Sequence, residues 1–272
     1  MAVAEPQQAI LSALRKEVQG DTISLAVAQG IANQLNCSLR SVETMALELG
    51  FTPQRHIRNG LSCNEQLSLM ESTVAIIGCG GLGGRCAELL ARLGVGHLII
   101  TDPDSFSESN LNRQIFCSTQ NLQCNKVDVL ARELPLIHPA LQISPHCKCF
   151  DKNSVENSAV VVDALDSGEA RKRLSTLCSS KAIPLVHAAV NSWYGKVGID
   201  KQRTGPLIED HYSQNKELKK APTVLPMTVA LVAALQVAEV CKLILNCGSS
   251  LDQGWLQTDL LDNEYIPIHL KD

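Results

Sequence analysis

The chain has no C-x-x-C pair, no surplus of basic residues and no uninterrupted apolar run of membrane-spanning length. Each absence excludes something. Without C-x-x-C pairs, a four-thiolate structural zinc has no ligand set. Lys and Arg number 24 against 28 Asp and Glu, a net charge of −4, so no global positive field points to nucleic acid or an anionic membrane surface. The most apolar stretch, MTVALVAALQVAEVCKLIL, is interrupted by Glu239 and Lys242. The N-terminal MAVAEPQQAI carries charge too early, and too little apolar length, for a secretory signal. Internal repeats and low-complexity tracts are missing as well. A cytoplasmic protein with no nucleic-acid or membrane partner is expected.

What is present is the composition of a folded chain of 272 residues, 45% hydrophobic and 19% charged, enough for one large α/β domain and a small appendage. The eleven cysteines are odd in number and scattered, which favours free thiols over disulfides. Cys147 and Cys149 alternate inside LQISPHCKCF, so a plain strand is the expectation there rather than a metal cluster.

Residues 1–50 carry three helix-period segments, AILSALRKEV, LAVAQGIANQL and SVETMALEL, broken at Gly20-Asp21 and Asn36-Cys37, with Ser38 and Ser41 as candidate caps. They predict a small all-helical domain. Its last two helices faintly suggest a helix-turn-helix, but too few basic residues lie on the second for DNA binding. Residues 51–72 read as a linker containing Arg55 and Arg58. From 73 to 272, apolar strands alternate with helical segments, which predicts a doubly wound, mostly parallel, Rossmann-like sheet closed by the antiparallel strands GWLQTDLL and EYIPIHL.

The stretch VAIIGCGGLGGR has Gly78, Gly80 and Gly83 in G-x-G-x-x-G order, with Gly81 between them. Such a turn lets the backbone approach phosphate and aims a helix N-terminus at it, and Asp102, closing the next strand, can bind a ribose hydroxyl. Taken alone it allows NAD as readily as ATP. The residues that follow discriminate. Arg113 and Lys126, at the carboxyl edge of the sheet, suit the charge of a triphosphate and of its transition state. VVDALDS places Asp163 and Asp166 toward the same crevice, and a carboxylate near phosphates suits a magnesium ion. Ordinary surface charge is the plainer account of either cation alone.

In this order, GCGGLGG, TDPD, SNLNRQ, NKV and DALDS resemble the E1-type activating enzymes, within them the HesA/MoeB/ThiF group, over about residues 52–270. The resemblance implies a homodimer that uses MgATP to adenylate the C-terminal glycine carboxylate of a small ubiquitin-like sulfur carrier ending in Gly-Gly, for molybdenum- or tungsten-cofactor or thiamine-type sulfur transfer. It implies a ribose contact for Asp102, phosphate and transition-state contacts for Arg113, Gln114 and Lys126, a magnesium contact for Asp166, and lesser roles for Asp104 and Asn110. RHIRN resembles the family's RYxRQ, so Arg58 would act in the partner subunit's site; a linker arginine in a local ion pair is the plainer alternative.

The sequence departs from the family in two ways. Both zinc-binding C-x-x-C pairs are missing, and no cysteine lies between Asp200 and Met227, so no enzyme thioester is expected at the usual place. Cys79 and Cys117 read as packed residues. The lysines Lys216, Lys219 and Lys220, with Glu217, could guide an acidic tail or simply be solvated. Trp193 and Tyr194, two of the chain's five Trp and Tyr, are expected beside a narrow tail channel. Adenylation of a peptide C-terminus, an NAD-dependent oxidoreductase and a non-catalytic dimeric module are the competing functions.

Overall fold

The computed structural model describes residues 5–200, 223–251 and 254–269; the lysine-bearing stretch 201–222 lies outside them. Helices α1 (Glu5–Glu17), α2 (Leu25–Gln34) and α3 (Leu39–Glu48) pack around Leu14, Ile31, Val42 and Ala46. Ser38 caps α3 by accepting from the Ser41 amide. Two-residue strands β1 (Thr22–Ile23) and β2 (Thr52–Pro53) pair in parallel, leading into a 3₁₀ turn, Gln54–Asn59. The stretch expected as a linker instead contains a helix, α4 (Cys63–Glu71), started by a capping box between Ser62 and Glu65.

The main sheet contains β3 (Thr73–Ile77), β4 (His97–Thr101), β5 (Gln142–His146), β6 (Val160–Asp163), β7 (Leu185–Asn191), β8 (Tyr194–Asp200), β9 (Gly254–Asp259) and β10 (Glu264–His269). Its order is β10-β9-β8-β7-β6-β3-β4-β5, parallel from β7 to β5 and antiparallel across β8, β9 and β10. Both faces are covered, so alternate residues of β3 enter different cores. Val74 and Ile76 meet α5 (Gly81–Leu93), α6 (Lys126–Ile137) and α8 (Pro226–Leu245), whereas Ala75 and Ile77 meet α7 (Gly168–Ser180) and Trp255.

Helix α8 is long and apolar enough to cross a bilayer by length and composition alone, with mean hydropathy 1.9. Its apolar face is instead core: Val229, Val232, Ala233, Val237 and Val240 are buried against the sheet and α5. Strand β5 ends at His146, short of the expected run through Cys149. Its sheet neighbour β4 ends at Thr101, opposite His146, and the exposed thiols Cys147 and Cys149 lie beyond the ladder.

Candidate nucleotide site

The strand order reverses at β3: β4 and β5 follow on one side, β6 on the other. In open α/β sheets a ligand sits outside the carboxyl ends of the strands at such a switch point. Here that point holds the glycine turn and the loop after β6. Gly78 turns with φ +95°, and a Cβ on it would lie 2.6 Å from the Ala164 carbonyl oxygen. Gly83 lets α5 press on the turn, since a Cβ there would collide with the Gly78 carbonyl oxygen. Gly80 is the N-cap of α5 and supplies no side-chain cap, so the first amides of the helix stay available to an anion.

The residues after β4 close on this turn. Asp102 is buried; its Oδ2 accepts from the Cys79 amide at 2.7 Å and its Oδ1 from the Asp104 amide at 2.8 Å. Lys126, the first residue of α6, is buried too, with Nζ 2.9 Å from Asp104 Oδ2 and 3.7 Å from Asp102 Oδ2. The stem of Arg113 and the amide of Gln114 face the backbone of Gly81 and Gly80. Arg113 Nη1 donates to the Ser109 carbonyl and to Asn112 Oδ1, both at 2.9 Å. Gln114 is 6% exposed, yet its Oε1 has no partner among the described residues. Asn110 accepts from the Ser107 amide and shapes the loop carrying Arg113 and Gln114.

Asp163 and Asp166 part company. Asp163 does not face the crevice: fully buried, its Oδ2 lies 2.5 Å from His187 Nδ1 and 3.8 Å from Arg171 Nη1. That guanidinium and the His187 ring hold the carboxyl below its usual range against the opposing effect of burial. Asp166, two residues past the Ala164 that touches Gly78, is exposed and unpaired among the described residues. Arg171 fixes this loop by donating to the Leu165 and Ala188 carbonyls. Sequence reasoning missed Arg171, His187 and Gln236, whose amide bridges the carbonyls of Asp163 and Val186 from inside α8. Only the isolated glutamine in an apolar helix hinted at it.

Arg58 is not in this cluster. Its turn meets the far end of α5, where Asn59 Nδ2 donates to the Leu93 carbonyl and His56 lies against Gly94. At 1.5 Å per residue, α5 is about 20 Å long, and the glycine turn lies at its other end. Near the site, burial raises the thiol of Cys79 well above its ordinary value and that of Cys117 to a lesser degree. Trp193 is half-buried and Tyr194 45% exposed at the β7–β8 turn, and Gly195 lets that backbone rest on Val232.

A switch point with an uncapped helix N-terminus, a buried lysine and an unanswered amide oxygen defines a Rossmann-like nucleotide-binding enzyme. Its model matching residues 54–272, the ThiF family is the one to which the chain belongs. This makes it an E1-like, ATP-dependent adenylyltransferase of the ThiF/MoeB group. It is 31% identical over 203 residues, 71% of this chain and 75% of the other, to the SAMP-activating enzyme E1 of Haloferax volcanii. It is 29% identical to the sulfur carrier protein ThiS adenylyltransferase of Escherichia coli, covering 68% of this chain and 76% of that one. The fold also matches the crystal structure of E. coli MccB with succinimide, with a TM-score of 0.66 at 21% identity over 89% of this chain and 82% of the other. The hydride-transfer function that a bare glycine turn allows is thereby set aside.

Proposed function

We propose that this adenylyltransferase activates the C-terminal glycine carboxylate of a small ubiquitin-like sulfur carrier ending in Gly-Gly, as a cytoplasmic homodimer. The acyl adenylate would serve sulfur transfer of the molybdenum- or tungsten-cofactor or thiamine type. Relatives named for activating SAMP and for adenylating ThiS support the carrier class. The observation that carries the chemistry is Lys126: a buried ammonium held by two carboxylates beside a free helix N-terminus.

The reaction needs no general base. The carrier carboxylate is ionised at neutral pH, and its oxygen attacks the α-phosphorus of ATP in line. The new O–P bond forms as the bond to the β-phosphate breaks, and its electron pair leaves with pyrophosphate. The enzyme must align two anions and offset their repulsion. Lys126 and Arg113 lie where cations do that, and the α5 amides receive phosphate oxygens. The free acceptor of Gln114 suits a donor on the nucleotide, and Asp102 has lone pairs left for a ribose hydroxyl. The exposed, unpaired Asp166 fits a magnesium ligand, and a magnesium ion there would neutralise polyphosphate charge. Arg58, held at the wrong end of α5 for its own site, is assigned to the partner subunit's site. Burial raises the thiols of Cys79 and, less, of Cys117, which agrees with reading both as packed residues.

The test is exchange of labelled pyrophosphate into ATP, measured with a panel of ThiS- and MoaD-type carriers. Carrier-dependent exchange that disappears in Asp166→Ala is the expected result. Exchange driven only by short peptides would move the reading to peptide adenylation, and no exchange with tight NAD binding would overturn both.

A further inference from the structure

The helical unit at residues 5–50 has no part in the chemistry above, yet its third helix reaches the turn that carries Arg58. Glu43 of α3 is fully buried. Both its carboxylate oxygens accept from Arg55, at 2.6 Å from Nη1 to Oε1 and through a second contact from Nη2 to Oε2. A bidentate fork of this kind fixes orientation as well as distance. The same guanidinium reaches His138 Nδ1, at the end of α6, at 3.0 Å.

The rest of the turn is held as tightly. On its N-terminal side, Thr52 and Pro53 pair with Thr22 and Ile23 of the helical unit, and the Thr52 amide donates to the Asp21 carbonyl at 2.9 Å. In the middle, His56 is buried, with its ring edge-on to His138 at 5.5 Å between centroids. On the C-terminal side, Asn59 Nδ2 donates to Gln66 Oε1 at 3.0 Å, and Gly60 ends the turn in the left-handed region. Within this anchored loop, Ile57 is 50% exposed and Arg58 is exposed and unpaired among the described residues. The buried side chains therefore hold still a turn whose outward Arg58 has no hydrogen bond or ion pair among the described residues.

We infer that the N-terminal helical unit is a brace for the trans-acting arginine, with Glu43 and Arg55 as the positioning residues that aim Arg58 at the neighbouring subunit. This rests on the assignment of Arg58 to the partner's site. An arginine on a loose loop would have to be ordered each time it meets a transition state; here the ordering is done in folding, through an ion pair far from the nucleotide. The buried Glu43–Arg55 pair is a costly way to gain stability alone, which agrees with a role in fixing geometry.

The test is a double-mutant cycle on carrier-dependent pyrophosphate exchange, using the full-length dimer and Glu43→Ala, Arg58→Ala and the double variant. Glu43→Ala is expected to keep ATP affinity within about twofold while the exchange rate at saturating ATP and carrier falls about tenfold or more. Added to Arg58→Ala, it should cost less than about twofold further, because there is no arginine left to aim. Effects that multiply in the double variant, or a Glu43→Ala enzyme at the wild-type rate, overturn the brace. If Glu43→Ala fails to fold, Arg55→Lys, which keeps the charge and loses the fork, completes the same cycle. A wild-type rate in Arg58→Ala overturns the assignment of Arg58 beneath it, and the brace with it; full loss in Arg58→Ala with multiplying effects removes the brace alone.

Discussion

Lys126 Nζ stands 3.7 Å from the buried carboxylate of Asp102, which itself holds the amide of Cys79 in the glycine turn. One carboxylate thus ties the glycine turn to the cation proposed for the phosphate. Lys126→Ala is expected to lower pyrophosphate exchange about 100- to 1000-fold. It should also destabilise the fold by about 1–3 kcal/mol, by leaving Asp102 less compensated. Stopped-flow exchange and urea unfolding measure the two effects; a variant impaired only in stability would place the lysine outside the chemistry.

Gly83 and Gly84 are neighbours in one helix with opposite expectations. Gly83→Ala would drive a methyl into the Gly78 carbonyl and should abolish nucleotide binding. Gly84→Ala meets Phe116 at 3.5 Å and the Cys79 carbonyl at 3.6 Å, ordinary contact distances. Relieved of glycine's helix penalty, it should keep binding and change stability by under about 1 kcal/mol. Isothermal titration with ATP checks both, and equal behaviour of the two variants would refute the turn geometry.

Burial and then the adjacent Arg55 push His56 down to about 4, and the same causes, with His56 and Arg40 added, push His138 down to about 2. Both rings are neutral in the fold and would take up a proton near pH 6.5 when unfolded. The unfolded state therefore binds more protons below that pH. Stability is fully present above about 6.5 and falls as the pH drops toward 4, at about 1.4 kcal/mol per pH unit for each ring. Urea midpoints between pH 7.5 and 5 test this. His138→Gln should flatten the decline; a midpoint independent of pH would contradict the burial of both rings.

Trp193 and Tyr194, at the β7–β8 turn, are proposed to line the channel for the carrier tail. Trp193→Ala should raise the KM for carrier about tenfold and leave the KM for ATP unchanged. Unchanged carrier binding would remove the channel from this place.

The parallel core was legible because strands buried on both faces read as continuous apolar runs, as in VAIIG and AVVVD. The candidate site was legible as a cluster because its charges fall at successive strand ends: Asp102 after β4, Lys126 opening α6, Asp166 after β6. What pattern alone could not give was direction. Asp163 and Asp166 are three residues apart, and only the register of β6 against β7 turns the first toward His187. Helix α4 was signalled by Ser62 and Glu65, but the surrounding polar residues masked it. The Glu43–Arg55 pair joins segments that nothing local connects.

The central claim is that each site adenylates with an arginine from its partner, and mixed dimers test it most directly. Arg58→Ala keeps its own site and lacks the donated cation; Lys126→Ala has the reverse defect. Each homodimer should be nearly inert in carrier-dependent pyrophosphate exchange. After random reassociation of equal amounts, exchange should return to about a quarter of wild type, because half the dimers then hold one complete site. Mixed dimers that form and stay as inactive as their parents would contradict the account.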